Sequence, residues 1–262
     1  MMAVILSMPD PVAFKLFGLE IMWYGVIIAA AIALGILWAM RRAKKKEFSQ
    51  DTLLDILLLT IPLAIIGARL AFVFSHVSQF SGNWMQIFAF RRGGLAIQGA
   101  IAGGIVGVIL MCRRKKASPL KAFDIIVPCL LLGQAIGRWG NYFNMEVYGF
   151  ETTVPWAIAV NDWQKGIIQV HPTFLYECIL NLIGVGFLLW YEKKWQKKDG
   201  ELLCLYLIAY SAIRFFVEFF RTDHVYVFGV NLAQLICVAL IVAGFVVMML
   251  IRKKSGLSSN KE

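Results

Sequence analysis

Apolar residues in this chain neither alternate nor recur singly. They gather in blocks of about 20, the length a helix needs to cross roughly 30 Å of hydrocarbon. Seven blocks stand out, at roughly 21–40, 52–76, 94–112, 121–143, 172–191, 201–220 and 230–251. Backbone N–H and C=O groups cannot stay unpaired in lipid, so long apolar runs predict helices. The period-two alternation of a membrane β-barrel is absent. The pattern predicts an all-α integral membrane protein with seven transmembrane helices, forming one membrane domain over 1–262. Only a short N-terminal segment and a loop over 144–170 remain as sizeable extramembrane pieces.

Composition agrees: 60% of the 262 residues are hydrophobic and 16% charged, against about 45–50% and a quarter in an ordinary soluble domain. A net charge of +10 would suggest nucleic acid in a soluble protein, but its placement argues for no nucleic-acid partner. Of the 26 Lys and Arg residues, 18 fall in 41–48, 113–121, 192–200 and the tail from Arg252. The opposite-side segments hold Lys15, Arg91, Arg92, Lys165 and Arg221. Basic residues stay cytoplasmic, so the N-terminus is expected outside, the C-terminus inside and 144–170 extracytoplasmic. The clusters would also touch anionic membrane lipids. The first apolar run ends in a basic stop and lacks a small-residue cleavage site, so it is read as a retained helix. Five cysteines scattered singly in the spans, without metal-type spacing, predict packing residues and no metal.

With that topology each unusual polar residue acquires a depth. Arg69 and His76 lie in the outer half of span two. Arg138, Asn141 and Asn144 end span four, and Arg214, Glu218 and Arg221 end span six. Spans one, three and five begin with Trp23-Tyr24, with Gly93-Gly94 before Gln98, and with His171, Tyr176 and Glu177. All six groups therefore sit at the outer ends. A charge at membrane depth costs at least ~2.5–3.5 kcal/mol, which makes such residues functional candidates.

Arg214, Glu218 and Arg221 are spaced i, i+4, i+7 and share one helical face. An intrahelical salt bridge explains part of this, yet leaves a net positive charge. Arg69 and Arg138 add two more, against Glu146 and Glu177. Arginine suits bidentate phosphate binding, so the cluster points to an anionic phosphate ligand. Gly99, Gly103 and Gly107 at four-residue spacing form a face for close helix packing. Gly93 and Gly94 would let backbone approach a ligand, and Gln98 would offer an amide one turn inside. Pro172 suits a first helical turn. Tyr176 also reads as part of an aromatic belt, His171 as an interfacial residue, and Glu177 as an acid needing an intramembrane partner.

These motifs resemble the prolipoprotein diacylglyceryl transferase family over nearly the whole chain. The most specific is "GRWGNYFNMEVYG", in which Gly137-Arg138, Gly140-Asn141, Asn144, Glu146 and Gly149 match the family signature. "GARLAFVF", "RGGLAIQG", "HPTFLYE" and "YSAIRFFVEFFR" follow the family's order. The resemblance implies a multi-pass enzyme of the bacterial plasma membrane, active at the outer leaflet. It would move the diacylglyceryl group of phosphatidylglycerol onto a lipobox cysteine thiol in a prolipoprotein signal peptide. The products would be a thioether and glycerol 1-phosphate, with no cofactor. By similarity Arg138 and Arg214 fall on the family's essential arginines, and Tyr24, Asn141, Gly149, Glu218 and Arg221 on other important positions. The expected phosphatidylglycerol-binding set is Arg138, Asn141, Tyr24, Gln98, Gly94, Gly149 and Arg69, supported by Asn144, Glu146, His171, Tyr176, Glu177, Glu218 and Arg221. One departure stands out. Gln98 occupies a position where many members carry a histidine proposed as a general base, and an amide takes no proton at physiological pH.

A transporter or receptor for an anionic lipid or solute is the alternative. Transporters are often built of paired halves with a midplane site, whereas here the charges gather at one end and no halves resemble each other. A retinal protein would need a lysine in the last span, where there is none.

Overall fold

The computed structural model describes residues 9–80, 82–89, 93–162, 164–227 and 229–256. Arg91 and Arg92, counted above among the outer-side charges, lie outside them. The helices are α1 (Trp23–Lys45), α2 (Gln50–Ser75), the one-turn α3 (Val77–Phe80), α4 (Ile97–Lys115), α5 (Pro119–Phe143), α6 (Thr173–Lys194), α7 (Glu201–Glu218) and α8 (Leu232–Gly256). Among the described residues six of them, α1, α2, α4, α5, α6 and α8, are long and apolar enough to cross a membrane. Helix α7 fills the sixth apolar block, but its 18 residues carry Glu201, Arg214 and Glu218. The expectation of helix alone is corrected by three antiparallel hairpins among the described residues: β1 (Val12–Leu16) with β2 (Leu19–Met22), β3 (Ile158–Asp162) with β4 (Gly166–Val170), and β5 (Tyr226–Val227) with β6 (Val230–Asn231).

Helix ends follow the charge pattern. Arg42, Lys44 and Lys45 end α1, Arg113 to Lys115 end α4, and Lys193 and Lys194 end α6, each complementing the negative end of the helix dipole. Ser49 caps α2 by accepting from the Thr52 N–H at 3.2 Å. Pro119 takes the first position of α5, where its missing N–H costs nothing.

The chain divides into two units, Met1–Trp38 with Ile126–Glu262, and Ala39–Ile125. In the second unit α2 and α4 pack backbone to backbone. A Cβ on Gly67 would strike the Gly99 carbonyl, one on Gly103 the Leu63 carbonyl, and one on Gly107 would come 2.7 Å from Thr60 Cα. Small residues alone allow this approach. At the base of this unit the buried Arg42 donates from Nη2 to the Asp124 carbonyl and from Nε to the Ile125 carbonyl, both at 3.1 Å. Asp124 lies four residues before Pro128, whose missing N–H leaves that carbonyl without a helical donor. Arg42 supplies one.

In the first unit α5, α6 and α7 share a core of Val127, Leu131, Leu188, Leu202 and Tyr206. At one end of that core buried Glu201 accepts from Tyr191 Oη at 2.9 Å and Arg252 Nε at 3.1 Å, tying α6, α7 and α8 together. The β3–β4 hairpin fills much of the 144–170 loop and packs Ile158, Val160 and Val170 against Phe174 at the start of α6. Arg138, Glu177, Arg214 and Glu218 gather at the opposite end of α6 and α7 from Glu201.

Candidate active site

Three helices bring three charges together. Glu177, in the first turns of α6 and 2% exposed, accepts from two arginines. Arg138 Nη2, near the end of α5, pairs with Glu177 Oε2, and Arg214 Nη1, on α7, lies 3.3 Å from Glu177 Oε1. Arg214 Nη2 reaches on to Glu218 Oε2 at 2.6 Å as an ion pair without hydrogen-bond alignment. The arginine side chains remain 22% and 21% exposed while that of Glu177 is 3% exposed. The acid thus sits behind the two guanidinium groups and holds them from one side. The i, i+4 pair expected within α7 is present, and Glu177 joins it to α5.

The loop after α5 continues from this centre. Arg138 Nη1 donates to Asn141 Oδ1 at 3.3 Å, and Asn141 Nδ2 donates to Glu146 Oε1 at 3.0 Å. Asn144 Nδ2 approaches the same oxygen at 3.4 Å. Asn141 therefore relays between Arg138 and Glu146. The loop is tight enough to force Met145 and Val147 into left-handed backbone, with φ of 51° and 60°. That is an outlier for a β-branched residue, of the kind that accumulates at functional sites. Thr173 Oγ1 donates to the Val147 carbonyl at 2.6 Å and holds it there.

Gly149 donates its N–H to the His171 carbonyl at 2.9 Å and bridges to Arg221. A Cβ on Gly149 would come 2.5 Å from the Phe220 carbonyl and 2.7 Å from His171 Cβ, so its role is close packing. The ring of Tyr24 lies against Gly140, where a Cβ would come 2.7 Å from Tyr24 Cδ2. His171 Nδ1 lies 2.9 Å from Tyr176 Oη, which also accepts from Trp156 Nε1 at 2.8 Å. Burial lowers the His171 pKa below 6.5 and favours neutral imidazole.

Sequence reasoning missed the further partners of Glu218. His224 Nδ1 and Asn231 Nδ2 both lie 3.2 Å from Glu218 Oε1. Arg221, 3.9 Å from Glu218, is held instead by Asp223 in a two-point contact. Burial pushes the Asp223 carboxyl up, but Arg221 outweighs it and keeps Asp223 below its usual range. The available signal was that an acid as buried as Glu218 needs more than one donor.

Three expected site residues belong to the second unit. Arg69 was expected at phosphate. It is 4% exposed and spends four of its five N–H donors on backbone: Nε to Ile87 at 2.7 Å, Nη2 to Gln86 at 2.6 Å, and Nη1 to Gly93 and Gly94 at 2.7 and 2.9 Å. Its contacts make it the organiser of the segment between α3 and α4. The group that approaches Gly94 is Arg69 itself: a Cβ there would come 2.7 Å from Arg69 Nη1 and 2.6 Å from Phe72 Cε1, and its φ is 76°. Gln98 opens α4 with an exposed side chain.

Comparison with known proteins matches the sequence to a family. The model of the prolipoprotein diacylglyceryl transferase family matches residues 11–250. A phosphatidylglycerol–prolipoprotein diacylglyceryl transferase of Finegoldia magna is 40% identical over 245 residues, covering 94% of this chain and 97% of the relative. The enzyme of the same name from Clostridioides difficile is 39% identical over 246 residues, covering 94% and 97%. That from Clostridium botulinum is 42% identical over 234 residues, covering 87% and 93%. With residues 11–250 matched by the family model and relatives about 40% identical over most of their length, this multi-pass membrane chain belongs to the prolipoprotein diacylglyceryl transferase family.

Proposed function

We propose that the chain transfers the diacylglyceryl group of phosphatidylglycerol to the thiol of a lipobox cysteine in a prolipoprotein, with Arg138 and Arg214 holding the phosphate. The donor and acceptor follow the names of the relatives. The observation that carries the residue assignment is the shared carboxylate, because Glu177 fixes both guanidinium groups and leaves part of each open.

The sulfur attacks the glycerol carbon that bears the phosphate. A carbon–sulfur bond forms, the carbon–oxygen bond to phosphate breaks, and the electron pair leaves with glycerol 1-phosphate. Negative charge stays on the departing group, where preorganised arginines act more strongly than water does. The same positive field lowers the thiol pKa and raises the thiolate fraction. Asn141 and Glu146 support Arg138, while Glu218, Arg221 and Gly149 support Arg214 and its surroundings. Tyr24, His171, Tyr176 and Asn144 complete the wall. Gln98 orients the ligand by hydrogen bonding, and the thiol proton leaves through water.

In this reading α7 is a seventh span, its charges paired at its two ends, and the whole chain is one membrane domain. The basic clusters support an orientation with the N-terminus outside and the C-terminus in the cytoplasm of a bacterial cell, and the site toward the outer leaflet of the plasma membrane. The test is transfer in vitro from acyl-labelled phosphatidylglycerol to a lipobox peptide. Label is expected on the cysteine in a linkage that neutral hydroxylamine, which cleaves thioesters, does not release. A purified, folded protein that labels no peptide would overturn the reading. Impermeant thiol labelling of single cysteines is expected within 144–170 and not within 192–200, and the reverse would overturn the orientation.

A further inference from the structure

Beneath the charged layer lies a second layer that the mechanism does not use. Gln134 sits four residues before Arg138 on α5, Asn181 four after Glu177 on α6, and Ser211 three before Arg214 on α7. Residues three or four apart share a helical face. Each of these side chains therefore lies one turn deeper than one member of the arginine–carboxylate centre. Tyr210 accompanies them, within electrostatic reach of Arg138, Glu177 and Arg214.

The layer is buried and unsatisfied. Asn181 is 0% and Ser211 1% exposed. Among the described residues Asn181 Oδ1 and Nδ2, Ser211 Oγ and Gln134 Oε1 have no hydrogen-bond partner. The amide of Gln134 is anchored on its other side, donating from Nε2 to Tyr206 Oη at 2.9 Å. Unpartnered polar groups in a helix bundle are costly, and leucine or alanine would serve packing better. Their chemistry is neutral and hydroxyl- or amide-bearing, without a charge. It suits an acceptor such as a carbonyl rather than a second phosphate.

Resting on the function proposed above, we propose that Asn181 and Ser211, with Gln134 and Tyr210, receive the ester carbonyls of the diacylglycerol whose phosphate lies at Arg138 and Arg214. One helical turn is 5.4 Å along the helix axis. An sn-2 or sn-1 ester stands a few bonds from the phosphorus, on the side from which the acyl chains descend into the membrane. The Asn181 amide and the Ser211 hydroxyl supply the donors to the ester carbonyls. The site thereby reads how the chains are attached to glycerol as well as the headgroup.

The experiment compares phosphatidylglycerol with its dialkyl ether analogue, which has no carbonyls. The transfer reaction breaks the carbon–oxygen bond to phosphate and leaves both ester linkages intact, so any preference between the lipids reports binding. The wild type is expected to use the diacyl lipid with kcat/KM several-fold above the dialkyl lipid. Ser211→Ala and Asn181→Leu are each expected to lower the diacyl value about three- to tenfold, the loss typical of one hydrogen bond. They should leave the dialkyl value nearly unchanged, so that the preference collapses. Equal use of both lipids by the wild type, or an equal loss on both in the variants, overturns the proposal. Ser211→Ala removes one oxygen from a helix, so it carries the test if Asn181→Leu does not accumulate. A wild type that labels the peptide from neither lipid counts against the transferase reading instead.

Discussion

Arg138 and Arg214 reach the same carboxylate, one at each oxygen of Glu177. Two cations from different helices are therefore fixed by one buried acid, and neither can shift without loosening the other. Arg138→Ala and Arg214→Ala are each expected to lower transfer by at least ~10²–10³, the usual loss for a transition-state donor. Lysine at either position should fail to restore the rate, because a compact ammonium cannot meet two oxygens in one plane. Rates from membranes normalised to protein level decide this. Near-normal turnover in well-accumulated alanine variants would remove both arginines from the mechanism.

Glu177→Gln is expected to cost stability as well as rate. Breaking a buried ion pair by removing one partner typically costs ~3–5 kcal/mol, and here two arginines lose their counter-charge. Thermal unfolding of the purified variant in detergent should show a clear drop, whereas Arg138→Ala should show a smaller one because Arg214 still neutralises the acid.

Arg69→Lys and Gly94→Ala are expected to disturb the segment between α3 and α4 rather than a lipid contact. An ammonium has three donors and cannot serve carbonyls of Gln86, Ile87, Gly93 and Gly94 together. Faster hydrogen exchange over residues 84–89 and 93–96 in both variants is the measurement. Unchanged exchange with a raised KM for lipid would restore the phosphate-binding role.

His171 gives a pH prediction. Its folded pKa lies below the 6.5 of a free imidazole, so below that value the unfolded chain binds the proton more readily than the folded one. Stability is fully present above pH 6.5 and declines as pH falls through the window down to the folded pKa. His171→Gln should flatten this decline. An unchanged profile would mean that other groups set it.

Gln98→Ala is expected to lower transfer partially without removing a titrating step from the pH–rate profile, and Gln98→His to remain active. A Gln98→Ala protein as inactive as Arg138→Ala would make the amide indispensable.

Helices were legible in the sequence because a bilayer imposes both their length and their charged ends. The β3–β4 hairpin was not, because Ile158 to Val160 are buried consecutively rather than alternately, and five residues give too short a period to read. Among site residues, Arg138, Glu177, Arg214 and Glu218 could be grouped from depth alone, since charges at one level of a bundle must find each other. Depth alone did not announce the backbone partners of Arg69, for a physical reason. A buried guanidinium can be satisfied by backbone carbonyls of an irregular segment, and no side-chain pattern announces such carbonyls. Asn181 and Ser211 escaped notice because neutral polar residues in apolar runs look unremarkable until set one turn from a charge.

The glycine contacts between α2 and α4 bear on lipid traffic. Backbones that touch at Gly67 and Gly99, at Leu63 and Gly103, and at Thr60 and Gly107 leave no slot for an acyl chain over several turns of helix. To a lipid diffusing in the bilayer, this pair is a sealed wall. Widening the wall's seam with a bulky residue at Gly103 would open a leak where the protein has built a barrier.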